Sequence, residues 1–480
     1  MPNVVLIMVD QMRGDCLSCL NHPAVETPWL DHLARKGVTM TRAYSNVPSC
    51  IAARAALMTG LKQEHHGRLG YEDRIPWHYK TTLGGCFTAG GYQTHVVGKM
   101  HVWPQRNRLG FDEVELHDGY LHTTRNAGVP HREYFDVNDD YLAFLRQHKP
   151  DADLNDAGLE CNSWLARPFP YEESLHPTNW VVSQSIRFLS RRDPTKPFFL
   201  KMSFVRPHSP LDPPQYYYDM YINRELPEPL HAPWEPEDTQ HLGQYANATM
   251  GRVRDEAIRR ARAAYYGSIT HIDAQIGRFL MALTDQGLIK DTVILFCSDH
   301  GDMLGDFNFL RKSVAYEGSA HVPMILADPG NLLDLPQGSR CATLCELMDV
   351  MPTLLDMAGL PIPQGLDGKS LLPVARGKGA PLHDHLHGEH TYGDWSGQWI
   401  LKDSWKYIWY AANGREQLFD LAQDPHELND LAGDGACAET LAGLRALLIA
   451  DLAERQDPMV REGRLVPGAA PRNALEFLRE

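Results

Sequence analysis

Five short, mostly apolar runs punctuate the first two thirds of the chain, at residues 4–9, 94–97, 198–204, 292–297 and 322–326. Runs of this length read as buried strands, since a helix needs ten or more residues to cross a domain. The longest regular pattern lies between the third and fourth runs. Ile258, Ala261, Tyr265, Ile269, Ile272, Ile276, Leu280 and Leu283 recur every three or four residues, which predicts one helix over 255–284. Strands alternating with helices imply an α/β fold, with a large mixed but mostly parallel sheet sandwiched by helices.

Turn-rich segments at 361–368 and 376–381 interrupt the pattern, and regular spacing resumes beyond them. Residues 399–401, 406–410 and 417–421 read as short strands, and 438–453 as an amphipathic helix. We therefore divide the chain into a catalytic domain, 1–375, and a smaller C-terminal α+β domain, 376–480. The last twenty residues lack periodicity and read as an arm or tail. The chain contains no internal repeat and no low-complexity tract.

The polar residues that follow the strands point to a site. Asp10 follows the first strand, Lys99 and His101 the second, His208 the third, and Asp299 and His300 the fourth. Ligands of open α/β sheets bind at the carboxyl ends of the strands. If these strands share a direction, four distant segments deliver their polar residues to one edge. Taken singly, an aspartate after a strand is an ordinary helix cap, and a lone histidine or lysine is an ordinary loop or surface residue. The grouping carries the signal.

One further segment changes the picture. In Cys50-Ile-Ala-Ala-Arg54, followed by Ala-Ala-Leu-Met-Thr-Gly60, alanines, leucine and methionine favour a helix and Gly60 favours its end. Cys50 then lies at the helix N-terminus, where unpaired N–H groups favour negative charge, with Arg54 one turn on along the same face. A small nucleophile, an oriented positive field and a fixed cation suit an anion-processing site. The ordinary alternative is a buried free thiol on a core helix.

Bulk properties bound the function. The formal net charge of −15 argues against a nucleic-acid partner, so an anionic substrate must be drawn by a local basic pocket. No apolar run approaches the length of a membrane span. The first ten residues read as a strand and not as a signal peptide. Nine scattered cysteines fit a reducing compartment, so a cytoplasmic location is expected. Cys16-x-x-Cys19 has no second half and makes a poor zinc or redox motif.

The segment 50–60 resembles the signature of the formylglycine-dependent (type I) sulfatases of the alkaline phosphatase superfamily. The commoner pattern has proline two residues after the cysteine, and here Ala52 stands there, a form also found among bacterial sulfatases. Gly98-Lys-Met-His101 resembles the family's Lys-x-His element. Phe204-Val-Arg-Pro-His-Ser-Pro210 resembles the segment of its other active-site histidine, His208. Asp299-His-Gly-Asp-Met-Leu-Gly305 with Lys312 and 316–325 resembles its late block, and 349–361 and 414–425 resemble further family segments, so the likeness spans nearly the whole chain.

The resemblance implies an alkaline-phosphatase-like sheet, hydrolysis of a sulfate ester and oxidation of Cys50 to formylglycine by a sulfatase-maturing enzyme. It implies one divalent metal held by Asp10, Gln11, Asp299 and His300. Gln11 and His300 replace the commoner aspartate and asparagine, as in choline sulfatases and phosphonate monoester hydrolases. Ca²⁺ is expected, with Mn²⁺ or Mg²⁺ as competitors for an oxygen-rich set containing one nitrogen. Arg54, Lys99 and Lys312 would stabilise the sulfate. The formylglycine hydrate would attack sulfur, His208 with Lys99 would assist the leaving alcohol, and His101 would take a proton from the remaining hydroxyl.

Two other readings stay open: a phosphonate monoester or phosphodiester hydrolase with the same nucleophile, and a non-catalytic sulfated-glycan-binding protein with Cys50 unoxidised. Candidate pocket walls are His65 and His66, Trp77, 103–108, 117–180 and 383–395, whose aromatic residues suit a sugar or an aryl ring. A small sulfated mono- or disaccharide is the expected substrate.

Overall fold

A computed structural model describes residues 1–121, 125, 139–152, 157–236, 245–470 and 472–479. Parts of the expected pocket wall, 122–124, 126–138 and 153–156, lie outside the described residues.

Among the described residues the main sheet has nine strands: β1 Asn3–Asp10, β2 Gly37–Tyr44, β3 Gln93–Gly98, β4 Glu113–Leu116, β5 Phe198–Pro207, β6 Thr292–Ser298, β7 His321–Ala327, β8 Ser339–Cys341 and β9 Cys345–Glu346. Their order is β4-β3-β5-β1-β6-β7-β2-β8, with β9 beside β2. The central strands β3, β5, β1 and β6 are mutually parallel, whereas β7 runs antiparallel to both β6 and β2. The five expected strands are present, each longer by one to three residues. β2 and β4 were not expected, because Thr39 and Thr41 interrupt the apolar run of one and acidic residues that of the other.

Both faces of the sheet are covered, which explains why β1 and β6 are apolar on both faces, from Val4 to Val9 and from Val293 to Cys297. Alternate residues of β1 enter two separate cores: Val5, Ile7 and Val9 on one face, Val4, Leu6 and Met8 on the other. The first core is closed by helices α1 Pro28–Arg35, α3 Pro177–Arg191 and α4 Asp255–Asp285. The second is closed by α2 Cys50–Thr59 and α5 Val350–Met357. No helix among the described residues is long and apolar enough to cross a membrane.

Gly98 shows how tightly the parallel strands are joined. Its φ is 103°, and a Cβ there would lie 1.9 Å from the Ser203 carbonyl oxygen. Only glycine lets β3 leave the sheet beside β5 at this point.

A separate four-stranded antiparallel sheet follows, in the order β10 Leu386–His390, β11 Gly397–Lys402, β12 Trp405–Tyr410 and β13 Glu416–Asp420. Helix α6, Ala438–Glu454, packs Leu444, Leu448 and Leu452 against Ile400, Tyr407 and Leu418 of that sheet. The other face of the sheet, through Trp399, Ile408 and Phe419, joins Phe307 and Tyr316 of the larger body. The tail does not extend as a free arm. The Leu69 and Gly70 amides donate to the Asn473 carbonyl, and the Leu475 amide donates to Gly67. Thr391 donates to the Arg472 carbonyl at 3.0 Å.

Candidate active site

The shared direction of β1, β3, β5 and β6 brings Asp10, Lys99, His101, His208, Asp299 and His300 to one edge. Helix α2 starts there, with Ser49 as an extended N-cap and Cys50 as its first residue; Gly60, φ 68°, ends it. The Cys50 sulfur lies 3.2 Å from His300 Nε2, 3.6 Å from Asp10 Oδ1 and 3.8 Å from Lys312 Nζ. Burial and the Asp10 carboxylate push this thiol up, but Lys312, Lys99 and His300 outweigh them and hold it below its usual value. The residue at position 50 is thus set up to carry negative charge.

Arg54 lies beneath the site, 1% exposed, and does not line its cavity. Its Nη2 donates to Asp10 Oδ2 at 3.0 Å and its Nε to Asp299 Oδ2 at 3.0 Å. Its Nη1 donates to the Lys99 carbonyl and to Ser203 Oγ at 2.9 and 3.0 Å. One guanidinium therefore ties both carboxylates to the backbone at the end of β3. Lys99 Nζ adds a second cation to Asp10 Oδ2 at 2.7 Å. Burial raises the Asp10 carboxyl, yet Lys99 and Arg54 hold it well below the usual carboxylate range.

Those bonds occupy the Oδ2 atoms. The two Oδ1 atoms face His300 Nε2, at 3.8 Å from Asp10 and 3.7 Å from Asp299. The His300 Nδ1 lies 3.0 Å from the Gly301 carbonyl, so Nδ1 carries the proton and Nε2 points at the carboxylates. Burial lowers this imidazole, but Asp299 overrides it and holds it above its usual value, so the spot draws positive charge. Ligand atoms of Asp10, Cys50, Asp299 and His300 all lie within 4.8 Å of one another. This mixed oxygen and nitrogen set fits a divalent cation. The Gln11 side chain is engaged elsewhere: its Oε1 accepts from Lys312 Nζ at 2.5 Å, and its Nε2 donates to Asp302.

Around this floor stand the remaining side chains. Lys312 Nζ is 2.8 Å from His208 Nε2, and His208 Nδ1 lies 2.8 Å from the Ser209 carbonyl, which makes His208 an Nδ1-protonated neutral imidazole. Burial and Lys312 keep it neutral. His101, φ 57°, is held in the left-handed region by Asp118 Oδ1, which accepts the Met100 and His101 amides at 2.9 and 2.8 Å. Both His101 ring nitrogens are buried without a partner among the described residues. Burial and Lys99 push its pKa far down, leaving a neutral base in the cavity. Strain of this kind is a feature of functional sites.

Sequence reasoning missed Asp118, the orienting group for His101, because β4 is too short and acidic to be read as a strand. It also missed Tyr71 and Arg311, which line the same cavity from loops with no strand-end signal to mark them, whereas His390, Thr391 and Tyr392 of the expected wall 383–395 do line it. Of the expected walls, Trp77 packs under Arg68, His65 pairs with Asp367 and His66 is buried; none lines the cavity.

Several histidines are buried in the neutral form, His390 near pKa 4 and His66 and His271 near 3, each chiefly through burial. Unfolded, they titrate near 6.5, so the unfolded state binds more protons below that pH. Their contribution to stability is then nearly full above about pH 6.5 and falls toward pH 4, by about 1 kcal/mol for each such histidine at pH 5.5. Asp273 and Glu427, pushed up to about 7 chiefly by burial, act in the opposite direction over the same range. Urea unfolding of the wild type and of His66→Gln and His271→Gln at pH 7.5 and 5.5 isolates the histidine contribution; an unchanged pH dependence in both variants would contradict neutral burial.

The family model described as Sulfatase matches residues 2–360, and that described as N-sulphoglucosamine sulphohydrolase, C-terminal, matches residues 305–454. An arylsulfatase of Clostridium perfringens (strain 13 / Type A) is 49% identical over 480 residues, covering 100% of each chain. A choline-sulfatase of Rhizobium meliloti (strain 1021) is 30% identical, over 90% of this chain and 82% of its own. A solved phosphonate monoester hydrolase of Agrobacterium radiobacter superposes with a TM-score of 0.77 at 26% identity, covering 98% of this chain and 100% of that one. Since the likeness runs through every segment that builds the site, the chain belongs to the sulfatase family of the alkaline phosphatase superfamily and is a sulfuric ester hydrolase.

Proposed function

We propose that the chain hydrolyses the sulfate ester of a small molecule, most simply a sulfated mono- or disaccharide, with Cys50 oxidised to formylglycine by a maturing enzyme. One observation carries this reading: the Cys50 sulfur stands at a helix N-terminus between a cation-attracting trio, Asp10, Asp299 and His300, and the ammonium of Lys312. Formylglycine would supply, as its hydrate, one hydroxyl to attack sulfur and a second to release the product. A divalent cation, Ca²⁺ by preference, would be held by Asp10, Asp299, His300 and the residue-50 oxygen and would lower the cost of negative charge there. For Gln11 to join them, its amide would have to leave Lys312 and Asp302.

The chain's own groups divide the remaining work. Lys99 and Lys312 bind sulfate oxygens and offset charge developing on the transferred group and the leaving oxygen. Arg54 acts from below, fixing Asp10, Asp299 and the Lys99 backbone. His208, in contact with the Lys312 ammonium, relays a proton toward the departing alcohol. His101, neutral and held by Asp118, removes the proton from the residue-50 hydroxyl that releases the product. The independent C-terminal sheet supports a division of the chain at 375/376, and nine free thiols are compatible with a cytoplasmic location.

The test is the peptide mass at position 50 from protein co-expressed with and without a maturing enzyme. The expected result is replacement of sulfur by oxygen with loss of two hydrogens, matched by gain of aryl-sulfate hydrolysis. Activity of fully unmodified protein would overturn it. The structural likeness to a phosphonate monoester hydrolase supports a second reading, so a phosphonate monoester belongs in the same assay; the 49% identity to an arylsulfatase favours sulfate.

A further inference from the structure

The cavity over Cys50 measures about 280 Å³, room for a compact molecule. Most of the cations that line it are already engaged. Lys99 pairs with Asp10 and Arg206 makes a two-pronged pair with Asp212 at 2.6 and 2.9 Å, while Lys312, bonded to Gln11 and in contact with neutral His208, is the cation assigned to the cleaved sulfate. Asp118 takes two backbone amides.

Arg311 differs. Its Nη2 donates to the Asn247 carbonyl at 3.1 Å, while its Nε is buried without a partner, and no carboxylate lies within ion-pair distance among the described residues. Burial pushes its guanidinium below the usual value, offset only in part by Tyr392, Asp302 and Cys161. A half-buried cation whose Nε–H is buried and unmet is costly to keep unless something else answers it. His390, lining the same cavity, adds a neutral acceptor. Its Nδ1 is committed to the Thr391 carbonyl at 2.8 Å, and its Nε2 is buried with no donor among the described residues.

We propose that Arg311 forms a second anion subsite in this cavity, recognising a carboxylate or further sulfate on the same small molecule whose sulfate ester is cleaved at residue 50. The planar fork of arginine suits either group, because both present paired oxygens to parallel N–H bonds. His390 Nε2 then accepts a hydroxyl of that substrate. The subsite rests on the sulfatase reading and narrows it: the preferred substrate carries two anionic groups.

The matured, metal-replete enzyme tests this with phenyl sulfate, 3- and 4-carboxyphenyl sulfate and 1,3-phenylene disulfate, following sulfate release. Wild-type kcat/KM is expected to be about tenfold to a hundredfold higher for a doubly anionic ester than for phenyl sulfate. Preference for the carboxylates or for the disulfate identifies which anion is read. Arg311→Gln should erase that preference by raising KM for the doubly anionic ester, with kcat and the phenyl sulfate parameters within about twofold of wild type. Equal wild-type kcat/KM for all four esters overturns the subsite alone, without recourse to a variant. So does an Arg311→Gln loss that is the same for every ester. Hydrolysis of none of them overturns the sulfatase reading and the subsite with it.

Discussion

Replacing Cys50 by alanine is expected to lower kcat for sulfate-ester hydrolysis by at least about 10⁴-fold, with KM and stability little changed. The stability expectation follows from position. Residue 50 opens α2 in helical conformation behind the Ser49 cap, and alanine is a better helix former than cysteine. The substrate-holding charges do not depend on its side chain, since Lys99 is fixed by Asp10 and Lys312 by Gln11 and His208. What the alanine lacks is the atom from which, in the proposed reaction, both bond-making and release proceed. Initial-rate kinetics with an aryl sulfate check this. Residual activity above about 1% would mean that another group attacks sulfur.

The second large effect concerns stability. Arg54→Met is expected to destabilise the protein by about 3–5 kcal/mol, because it leaves two fully buried carboxylates, Asp10 and Asp299, short of their shared cation. Methionine has a similar length, so the loss reflects charge more than volume. Lys99 would still compensate Asp10, which leaves Asp299 as the exposed liability. Urea unfolding of Arg54→Met, Asp299→Asn and the double variant provides the check. The double variant should cost clearly less than the sum of the singles. Strict additivity would show that the bond of 3.0 Å carries no coupling.

The likeness to the alkaline phosphatase superfamily was legible because its carriers are local. The segment 50–60 is continuous, and each strand-end residue follows its own short apolar run. Strand boundaries came out within a few residues for the same reason: burial on both faces leaves a mostly apolar stretch, broken in β5 only by Lys201 and Ser203 before its polar end. β2 and β4 escaped because polar residues interrupt them, and their stability comes from neighbours far away in the chain. The C-terminal tail, aperiodic in sequence, is pinned by backbone bonds to residues 67–70, which no side-chain pattern records.

Sequence alone therefore determined the fold class, the place of Cys50 at a helix start and most of the charged groups around it, since each is written in residue type and local spacing. Tertiary structure decided what those groups do to one another. It showed that Arg54 is a buried strut between two carboxylates, that Gln11 is bonded to Lys312, and that Asp118 steers His101. It alone left Arg311 without a counter-ion among the described residues. The physical reason is that ion pairing and desolvation depend on separations of a few ångströms between residues hundreds of positions apart, and only the folded chain sets those separations.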